Sequence, residues 1–593
     1  MKRKTLTLVM GLILSFLFCG ILVQNVESQS FETILIKADG NLEGTNKIQR
    51  VGNIYMFTSN IEAAIVIEAS NIVLDGAGFT LQGEITINGN NVEIKDLKIF
   101  APDIAIEIYG SGCSIIENNV EANITGISIR DSNNNVISDN IIAANAAGIG
   151  LTYSSYNLIT GNSVSSRLIA GVGLLYSNNN TFSRNTISYV SVDHSSHNIF
   201  DGNNLPQGMA IRSHSNYNKI TGNSITDYNE LTETSPLSSG SIKVEWCEGN
   251  VISSNILVNS GGIFLDRSSN NVLRNNAVSG TELGFEVSDW SQPKLSSFIN
   301  DIDTSNTING KKVHYLINKS DLSINPSTYP NIGYLALVNC TRMIVENTHF
   351  NTQGILLAWT TDSQITNNDI SNNYGDGAIL NCASNNKITK NNINANSGTG
   401  IRLSYSNQNH VSGNYITRNQ EGIYLIYSTS NNTITENNIA DQDVGISFHS
   451  SSSNLIYHNN FVNNTEQVYD VGWAGLGQPF PGLPWPSENI WDNDYPIGGN
   501  YWSNYTNLYP EAEELDSSGI WETPYIIDEN NQDRYPLMNP LNIPPIQVPE
   551  APDGETSTTP SEDSFPTTLV VASVITVAVV GVGLLFYFKK RKH

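Results

Sequence analysis

The chain has 593 residues and a formal net charge of −26, and only 15% of its residues are charged. Gly, Asn and Ser dominate its composition, which favours turns over helices. The acidic balance excludes nucleic acid and an anionic membrane surface as partners of the main body.

The N-terminal segment has the pattern of a secretory signal. A basic MKRK precedes the apolar run TLTLVMGLILSFLFCGILVQ, and Val26 and Ser28 satisfy the small-residue rule for cleavage. We therefore expect residues 1–28 to be removed and the remainder to be exported, with a permanent N-terminal anchor as the alternative. Export permits disulfides and N-glycosylation but demands neither. The N-x-[ST] sequons are at Asn123, Asn179, Asn318, Asn339, Asn431, Asn463 and Asn504.

The cysteines of the exported chain lack CxxC spacing, and we expect them to be mostly buried small residues. They are Cys113, Cys247, Cys340 and Cys382.

One repeat dominates residues 71–300 and 336–470. The element NxxxxN returns about every 22 residues, and segments such as GISIRDS, GIGLTYS and GIRLSYS lie between its copies. These segments alternate apolar and polar residues, which predicts short strands with one buried face, and no helical stretch separates them. We therefore predict an all-β fold, a right-handed single-stranded parallel β-helix with coils of about 22 residues.

The repeated asparagines are expected to form ladders, each hydrogen-bonding its equivalent one coil away, while Ile and Val fill the interior. The predicted ladder residues are Asn118, Asn140, Asn162, Asn185, Asn203, Asn223, Asn255 and Asn276, then Asn368, Asn391, Asn414, Asn437 and Asn459.

Flanking segments complete the predicted organisation. The Trp and Tyr residues of 471–540 are interpreted as a cap that closes the open end of the coil, with a sugar-stacking platform as the alternative. The run LVVASVITVAVVGVGLLFYF is long enough to cross a bilayer, and the basic KKRKH after it predicts a cytoplasmic C-terminus. The predicted domains are 1–28 signal peptide, 29–70 N-terminal cap, 71–300 first β-helix block, 301–335 insertion, 336–470 second block, 471–540 C-terminal cap, 541–566 Pro/Thr/Glu-rich linker, 567–588 transmembrane helix and 589–593 cytoplasmic basic tail.

Three features together carry a family resemblance over roughly residues 60–540. They are the repeat NxIxxNxIxxNxxGIxLxxSxxN, the interruption IDTSNTINGKKVHYLINKSDLSINPSTYPNIGYLALVNC, and the ending NLIYHNNFVNN…GGNYWSNY…TPYIIDENNQDRYPLM. The sequence resembles the archaeal cell-surface parallel β-helix proteins of the NosD-like, carbohydrate-binding and sugar-hydrolase (CASH) type. This resemblance implies a membrane-anchored extracellular protein whose partners are polysaccharides, glycans or other envelope proteins.

The resemblance also raises the question of metals. Between Tyr509 and Tyr525 this chain reads PEAEELDSSGIWETP, where the family often has a glycine-rich Asp cluster suited to calcium. The NosD name suggests copper delivery, but the six Met and nine His residues form no Met-rich or HxH cluster, which argues against copper. No metal site and no cofactor are expected, and Ca²⁺ is left open.

Titratable residues that face outward are concentrated on the coils of residues 190–290, whereas the coils after the interruption are mostly neutral. Glu245 and Asp266 should lie on successive coils with Cα atoms about 5 Å apart, and Asp266 and Glu286 should be diagonal, about 8 Å apart. Stacked carboxylates raise one another's pKa, as a general acid requires. The candidate catalytic residues are Glu245, Asp266 and Glu286, and the candidate substrate-binding residues are Asp193, His194, Arg212, Lys243, Trp246 and Arg267.

Three functions stay open. The first is binding of carbohydrate or envelope components, which we favour because no complete catalytic signature is present. The second is a polysaccharide lyase or glycoside hydrolase, although the NTD, GHG and RIK signatures of polygalacturonases and the DPHD of alginate epimerases are absent. The third is a structural envelope stalk. A concave cleft with an aromatic rim favours the first two, and a flat face whose acids are neutralised by Arg and Lys favours the third.

Overall fold

A computed structural model describes residues 31–226, 240–280, 284–290, 292–471 and 486–548. The predicted signal peptide, the predicted transmembrane helix, the predicted basic tail and most of the predicted linker lie outside these residues. In the described part of the chain, no helix is long and apolar enough to cross a membrane. The helical segments whose bounds are described there are short, namely the 3₁₀ turn Leu295–Phe298 and the α-helical turn Tyr505–Leu508. The predicted all-β coil is confirmed.

Three parallel sheets form the sides of the first block, with short antiparallel pairs at its start. Sheet 1, in hydrogen-bonded order, consists of Leu42–Glu43, Thr33–Ile36, Ala64–Ile67, Ile85–Ile87, Ile104–Ile108, Thr125–Arg130, Ala147–Thr152, Ala170–Leu175, Val190–Asp193, Gly208–Arg212, Ser241–Glu245, Gly262–Asp266 and Phe285–Ser288. Sheet 2 consists of Ile48–Val51, Ile54–Phe57, Val73–Asp75, Glu93–Lys95, Ser114–Ile116, Val136–Ser138, Leu158–Thr160, Thr181–Ser183, Ile199–Asp201, Lys219–Thr221, Val251–Ser253, Val272–Arg274 and Asp301–Ile302. Sheet 3 consists of Ile61–Glu62, Thr80–Gln82, Lys98–Ala101, Asn119–Ala122, Ile141–Ala144, Ser163–Ser166 and Thr186–Ile187.

The second block has its own three sides. Sheet 4 consists of Ser224–Thr226, Ile256–Val258, Ala277–Ser279, Thr307–Ile308, Lys311–Ile317, Ile332–Val338, Ile355–Ala358, Ala378–Asn381, Thr399–Ser404, Glu421–Ile426, Val444–His449 and Glu466–Asp470. Sheet 5 consists of Ser323–Ile324, Ile344–Glu346, Gln364–Thr366, Lys387–Thr389, His410–Ser412, Thr433–Thr435 and Leu455–Tyr457. Sheet 6 consists of His349–Phe350, Asp369–Ser371, Asn392–Asn394, Tyr415–Thr417, Asn438–Ala440, Asn460–Val462 and Tyr501–Trp502. A separate hairpin pairs Tyr525–Ile526 with Gln532–Asp533.

The junction between the blocks changes which side of the coil continues. Sheet 1 ends at Phe285–Ser288. Sheet 4 begins on the third side of the first block and, in the second block, contains the strands of the repeated GI segments such as GIRLSYS, which we call GI strands. The antiparallel pair Thr307–Ile308 and Lys311–Ile317 makes this connection. The outer face of sheet 4 therefore meets the end of the first block.

Strand Ile332–Val338, with the sequence IGYLALV, is buried along its whole length. Leu335 and Leu337 belong to the core of the second block, whereas Tyr334 and Val338 on the other face belong to the core of the first. A strand that is buried on both faces reads as a continuous apolar run instead of an alternating one. The interruption predicted as an insertion thus joins the two cores.

The asparagine ladders form as predicted, with buried side chains. Asn118 donates its Nδ2 and its backbone N–H to Asn140 Oδ1, at 3.1 and 2.9 Å. In the second block Asn414 makes the same two bonds to Asn437 Oδ1, at 2.9 and 3.0 Å. A buried amide that bonds the next coil satisfies backbone groups that the turn leaves unpaired. A second ladder in the first block consists of Asn135, Asn157, Asn180, Asn198, Asn218, Asn250, Asn271 and Asn300.

The aromatic residues near the C-terminus of the described chain extend the core beyond the last coil. Trp491 and Trp502 are each 1% exposed. The Trp502 ring stacks between Phe461 and Tyr525, with centroids 4.4 and 4.2 Å away. These tryptophans are therefore inside the protein and are not available as a sugar-stacking platform.

Asp533 is fully buried among these rings. Its carboxylate accepts hydrogen bonds from Asn500 N at 2.7 Å, Trp502 Nε1 at 2.9 Å and Tyr535 N at 3.1 Å. Burial raises the pKa of Asp533 to about 7, although these bonds act in the opposite direction. The folded protein therefore holds a proton here that the unfolded chain releases.

We predict that this proton makes stability depend on pH. An ordinary Asp ionises near pH 3.8, so between about pH 4 and 7 the folded state binds more protons than the unfolded state. Stability from Asp533 should be fully present below pH 4 and should fall by up to ~1.4 kcal/mol per pH unit until about pH 7. Thermal melts of the wild type and Asp533→Asn over this range check it. A stability difference between the two that does not change with pH would contradict the prediction.

Candidate functional site

A cavity of about 260 Å³ lies between the end of sheet 1 and the outer face of sheet 4. Glu286 and Trp290 reach it from the first block, and Tyr374, Asp376 and Arg402 reach it from the second. We call this cavity the junction pocket. Pockets for drug-sized ligands usually have about 300–1,000 Å³, so this one suits a small ring or one end of a longer molecule.

The edge of sheet 1 is held over sheet 4 by one side chain. Gln353 Oε1 accepts a bond of 2.9 Å from Phe285 N, and Gln353 Nε2 donates to the Phe285 carbonyl. The amide thereby replaces the missing neighbouring strand and closes an edge that would otherwise be unpaired. Gly284 leaves room for it, because a Cβ there would lie 2.7 Å from Gln353 Oε1. This contact fixes the position of Glu286.

Asp376 and Arg402 form a fixed ion pair in the junction pocket. Arg402 Nε lies 2.8 Å from Asp376 Oδ2, and Arg402 Nη2 donates to Asp376 Oδ1 at 3.2 Å. The Asp376 side chain is only 9% exposed and also accepts a bond of 2.7 Å from Thr399 N. The Arg402 guanidinium lies 5.3 Å from the centroid of the Trp290 ring. The ion pair, the single hydrogen bond from Arg402 Nη2 and the contact with the Trp290 ring hold these groups in one geometry.

Glu286 has a different environment in the same pocket. Burial raises the pKa of Glu286, and the negative charges of Asp376 and Asp266 raise it further, while hydrogen bonds with Ser288 and Trp290 lower it. Glu286 therefore keeps its proton to a higher pH than an ordinary glutamate. The junction pocket combines one carboxyl group whose pKa is raised, that of Glu286, with a second carboxyl group that is paired with a guanidinium.

Asn381 adds an unpaired acceptor to the lining. Its side chain is 1% exposed, and in the described part of the protein Asn381 Oδ1 has no hydrogen-bond partner. It lines the junction pocket from the same sheet as Arg402. Buried polar atoms are normally paired, so this oxygen is an unsatisfied acceptor, and because the atom itself has almost no accessible surface it is not open to a ligand in this structure.

The predicted catalytic residues have the predicted geometry along sheet 1. Glu245 and Asp266 are direct partners on neighbouring strands. On the next strand Glu286 is paired with Phe264, so it lies diagonally from Asp266. Glu286 lines the junction pocket, whereas Glu245 and Asp266 lie on the open face of the coil. Their catalytic roles stay predictions.

Guanidinium groups neutralise the acids on that open face. Arg212 Nε donates to Glu245 Oε2 at 2.7 Å. Arg267 Nε lies 3.4 Å from Asp289 and 3.9 Å from Asp266. Burial raises the pKa of Asp266, while the charge of Arg267 lowers it. This part of the face has the salt-bridged character that we associated with a structural role.

The remaining predicted binding residues are paired with their neighbours on the same face. His194 Nδ1 lies 2.5 Å from Asp193 Oδ1. The guanidinium of Arg267 lies 4.5 Å from the ring centroid of Trp246, which is half exposed. Lys243 also contacts a neighbour on this face, because its Nζ lies 5.7 Å from the centroid of the Phe264 ring. Their roles in substrate binding also stay predictions.

Comparison with protein-family models identifies the family to which the chain belongs. A family model described as "Periplasmic copper-binding protein (NosD)" matches residues 62–237 and 299–507. The chain belongs to the NosD family. A second model, described as "Right handed beta helix region", matches residues 188–328 and supports the predicted handedness.

Solved structures similar to this NosD-family protein share little sequence with it. A DFA-IIIase from Arthrobacter chlorophenolicus A6 without its lid, in complex with GF2, is 14% identical, with a TM-score of 0.29, and covers 41% of this chain and 71% of its own. The PL6 family alginate lyase AlyGC is 11% identical, with a TM-score of 0.25 and coverages of 79% and 96%. A mutant of the periplasmic alginate epimerase AlgG is 11% identical, with a TM-score of 0.19 and coverages of 79% and 82%. The search of curated proteins finds no match.

Among the described residues of this NosD-family protein, the side-chain donors do not gather into the cluster that a copper ion needs. In the described residues, no group of three or more His, Cys, Asp or Glu side chains could hold a metal ion. Burial raises the pKa of Cys247 and Cys382 to about 12, which disfavours the thiolate that a metal binds. Met209 and Met343 are enclosed in the core and cannot offer their sulfur to an ion at the surface.

Sequence reasoning missed Asp376 and Arg402 as site residues. Arg402 stands in the outward position of GIRLSY, as the alternation predicts, but its partner lies one coil earlier in NNYGDGAIL, where the repeat is irregular. That irregularity was the available signal for Asp376. The approach of Trp290 depends on how the two blocks meet, and no local pattern encodes it.

Proposed function

We propose that this NosD-family protein binds a saccharide in the junction pocket. One observation carries the proposal: a fixed carboxylate–guanidinium pair lines a cavity bounded by the rings of Trp290 and Tyr374. Planar polar groups can bond vicinal hydroxyls from two sides, and aromatic rings offer apolar faces to the C–H side of a sugar ring.

The charge of the pocket favours a neutral sugar. Arg402 is the one cation that lines it within the described chain, and Asp376 already neutralises that cation. A uronate would therefore bring its carboxylate close to Asp376 and Glu286 without a free positive charge to meet it. The same absence argues against a polysaccharide lyase, which needs a uronate substrate. The export signal and the tail anchor expected from the sequence would present this pocket outside the cell.

We predict that Trp290→Ala lowers the affinity for a neutral polysaccharide by about tenfold or more, because the ring forms one side of the pocket. Trp246→Ala is the matched control, since Trp246 is a half-exposed tryptophan on the open face of sheet 1. Titration calorimetry with soluble mannan, xylan and β-glucan, and with alginate as an acidic probe, measures both variants. A loss confined to Trp246→Ala would move the site to the open face, and no binding by the wild type would overturn the proposal.

A second candidate function, hydrolysis of a glycosidic bond, is favoured by the two unlike carboxyl groups. Glu286 would give its proton to the departing oxygen as the C–O bond breaks. Asp376 would take a proton from the water whose oxygen forms the new bond to the anomeric carbon. Water is the only co-reactant, and every proton is accounted for. Hydrolysis requires the same sugar to bind in the junction pocket, so this second function holds only if saccharide binding is observed.

A further inference from the structure

The junction pocket is closed on the side of the first block. There the outer face of sheet 4 is covered, because Tyr334 and Val338 of strand Ile332–Val338 belong to the core of the first block. On the next coil Gln353 both accepts from and donates to the backbone of Phe285, which closes the gap between the two sheets. A ligand in the pocket therefore cannot continue along the coil in this direction.

Arg402 closes the pocket in the opposite direction. In the outward ladder of sheet 4, Leu356 and Ile379 are followed by Arg402 and then by Tyr424. The Arg402 guanidinium contacts two rings, 5.3 Å from the centroid of Trp290 and 5.6 Å from the centroid of Tyr424. These contacts hold the guanidinium in place. The cavity ends at Arg402 and does not extend to Tyr424 on the following coil.

The pocket opens to solvent beside Tyr374. Of the lining residues that the structure describes, Tyr374 alone is exposed, with 54% of its surface accessible. Tyr334 and Leu356, on the inner side, are each 4% exposed. Tyr374 lies in the turn before strand Ala378–Asn381, at the edge of sheet 4. The mouth of the pocket is therefore marked by an accessible aromatic ring.

A pocket of this shape suits the end of a chain. Its volume of about 260 Å³ is below the range of about 300–1,000 Å³ that is usual for drug-sized ligands. A sugar unit inside a glycan has a neighbour on each side, so its site needs two openings. A terminal unit has one neighbour and needs one opening. The geometry favours a terminal ring inside the pocket and its neighbour at the mouth, against the ring of Tyr374.

We propose that the junction pocket recognises the end of a neutral glycan chain, with the terminal sugar inside and the second sugar on the ring of Tyr374. This inference rests on the saccharide binding proposed above, and it specifies which part of the glycan binds. Trp290 and the pair of Asp376 with Arg402 contact the terminal sugar, so they contribute to the binding of every ligand. Tyr374 contacts the second sugar, so it determines the preference for chain length.

Fragmentation of the glycan tests whether ends are recognised. Limited acid hydrolysis of mannan, xylan or β-glucan increases the number of chain ends per gram and leaves the remaining linkages unchanged. In titration calorimetry of the full chain, the number of binding sites per gram should rise in proportion to the ends, which a reducing-end assay counts. Binding to the interior of the chain would leave the number of sites per gram unchanged or lower it.

Tyr374→Ala tests the position of the mouth. Its affinity for mannotriose, xylotriose or cellotriose should fall about threefold to tenfold, because the contact with the second sugar is lost. Its affinity for the corresponding monosaccharide should not change. Tyr156→Ala is the matched control, since Tyr156 is an exposed tyrosine in a turn of the first block and should affect neither ligand. Thermal melts check that both variants are folded.

The outcomes separate this inference from the binding function itself. Sites that follow the number of ends, together with a loss in Tyr374→Ala that is confined to the trisaccharide, support it. Sites per gram that do not follow the ends, with binding still lost in Trp290→Ala, overturn it and leave saccharide binding in the junction pocket. An equal loss for both ligand lengths in Tyr374→Ala, or no loss, also overturns it. If neither intact nor fragmented glycans bind the wild type, this inference and the proposed function are both overturned.

Discussion

Replacing Asn437 by alanine is expected to lower the free energy of unfolding by about 3–6 kcal/mol. Asn437 is fully buried and accepts bonds from both the backbone N–H and the side chain of Asn414. Its own Nδ2 donates to the carbonyl oxygens of Val411 and Thr435 and to Asn459 Oδ1, at 2.9, 3.0 and 2.9 Å. Alanine would leave several of these buried groups without a partner, and each costs about 1–3 kcal/mol.

The neighbouring residue provides the control. Asn438 has the same side chain on the same coil, but it is half-buried and accepts only a long bond of 3.4 Å from Asn460. Asn438→Ala should therefore cost less than about 1 kcal/mol. Urea unfolding of the full chain, followed by tryptophan fluorescence, compares the two, because Trp491 and Trp502 lie directly beyond the last coils. Equal destabilisation by the two substitutions would show that the ladder is not a major source of stability.

The fold could be predicted because its information is local and repeated. In each GI strand, the alternation of apolar and polar residues predicts which side chains face inward and which face outward. The asparagines recur at the length of one coil, so each lies next to the equivalent asparagine of the neighbouring coil. The register of Glu245, Asp266 and Glu286 followed from the same rule and is confirmed. Even the glycine of the GI motif has a repeated cause, since a Cβ at Gly400 would lie 2.7 Å from the Gly422 carbonyl oxygen.

The junction pocket could not be predicted in this way because it arises where the repeat is broken. The sequence prediction placed the site among the titratable outward residues of the first block. Most of these residues are neutralised by their neighbours, as Arg212 neutralises Glu245. Asp376 and Arg402 lie on a sheet that only the change of sides at the junction brings against Glu286. The continuous apolar run IGYLALV was the sequence signal that a second surface covers this sheet, but it does not identify that surface.

Glu286→Gln separates hydrolysis from binding at the junction pocket. If the pocket cleaves a glycosidic bond, this variant should lose about 10²–10⁴-fold in turnover, because glutamine cannot supply the proton that the departing oxygen needs. Its affinity for the polysaccharide should change little, since the amide has the same shape. The burial that raises the pKa of Glu286 keeps the acid protonated to a higher pH than an ordinary glutamate, so wild-type turnover should fall as the pH rises through that raised pKa. Glu286→Gln should abolish this alkaline limb.

Two comparisons assign the effect of that substitution to proton donation. An aryl glycoside with an acidic phenol as leaving group needs little protonation, so Glu286→Gln should cleave it much better than it cleaves the natural linkage. Glu245→Gln is the matched control, because Glu245 is already paired with Arg212 on the open face and should not affect turnover. A loss in Glu245→Gln with normal turnover in Glu286→Gln would place catalysis on the open face instead. Binding without turnover by the wild type would remove hydrolysis and leave saccharide binding, since Trp290, Asp376 and Arg402 need no proton transfer to hold a sugar.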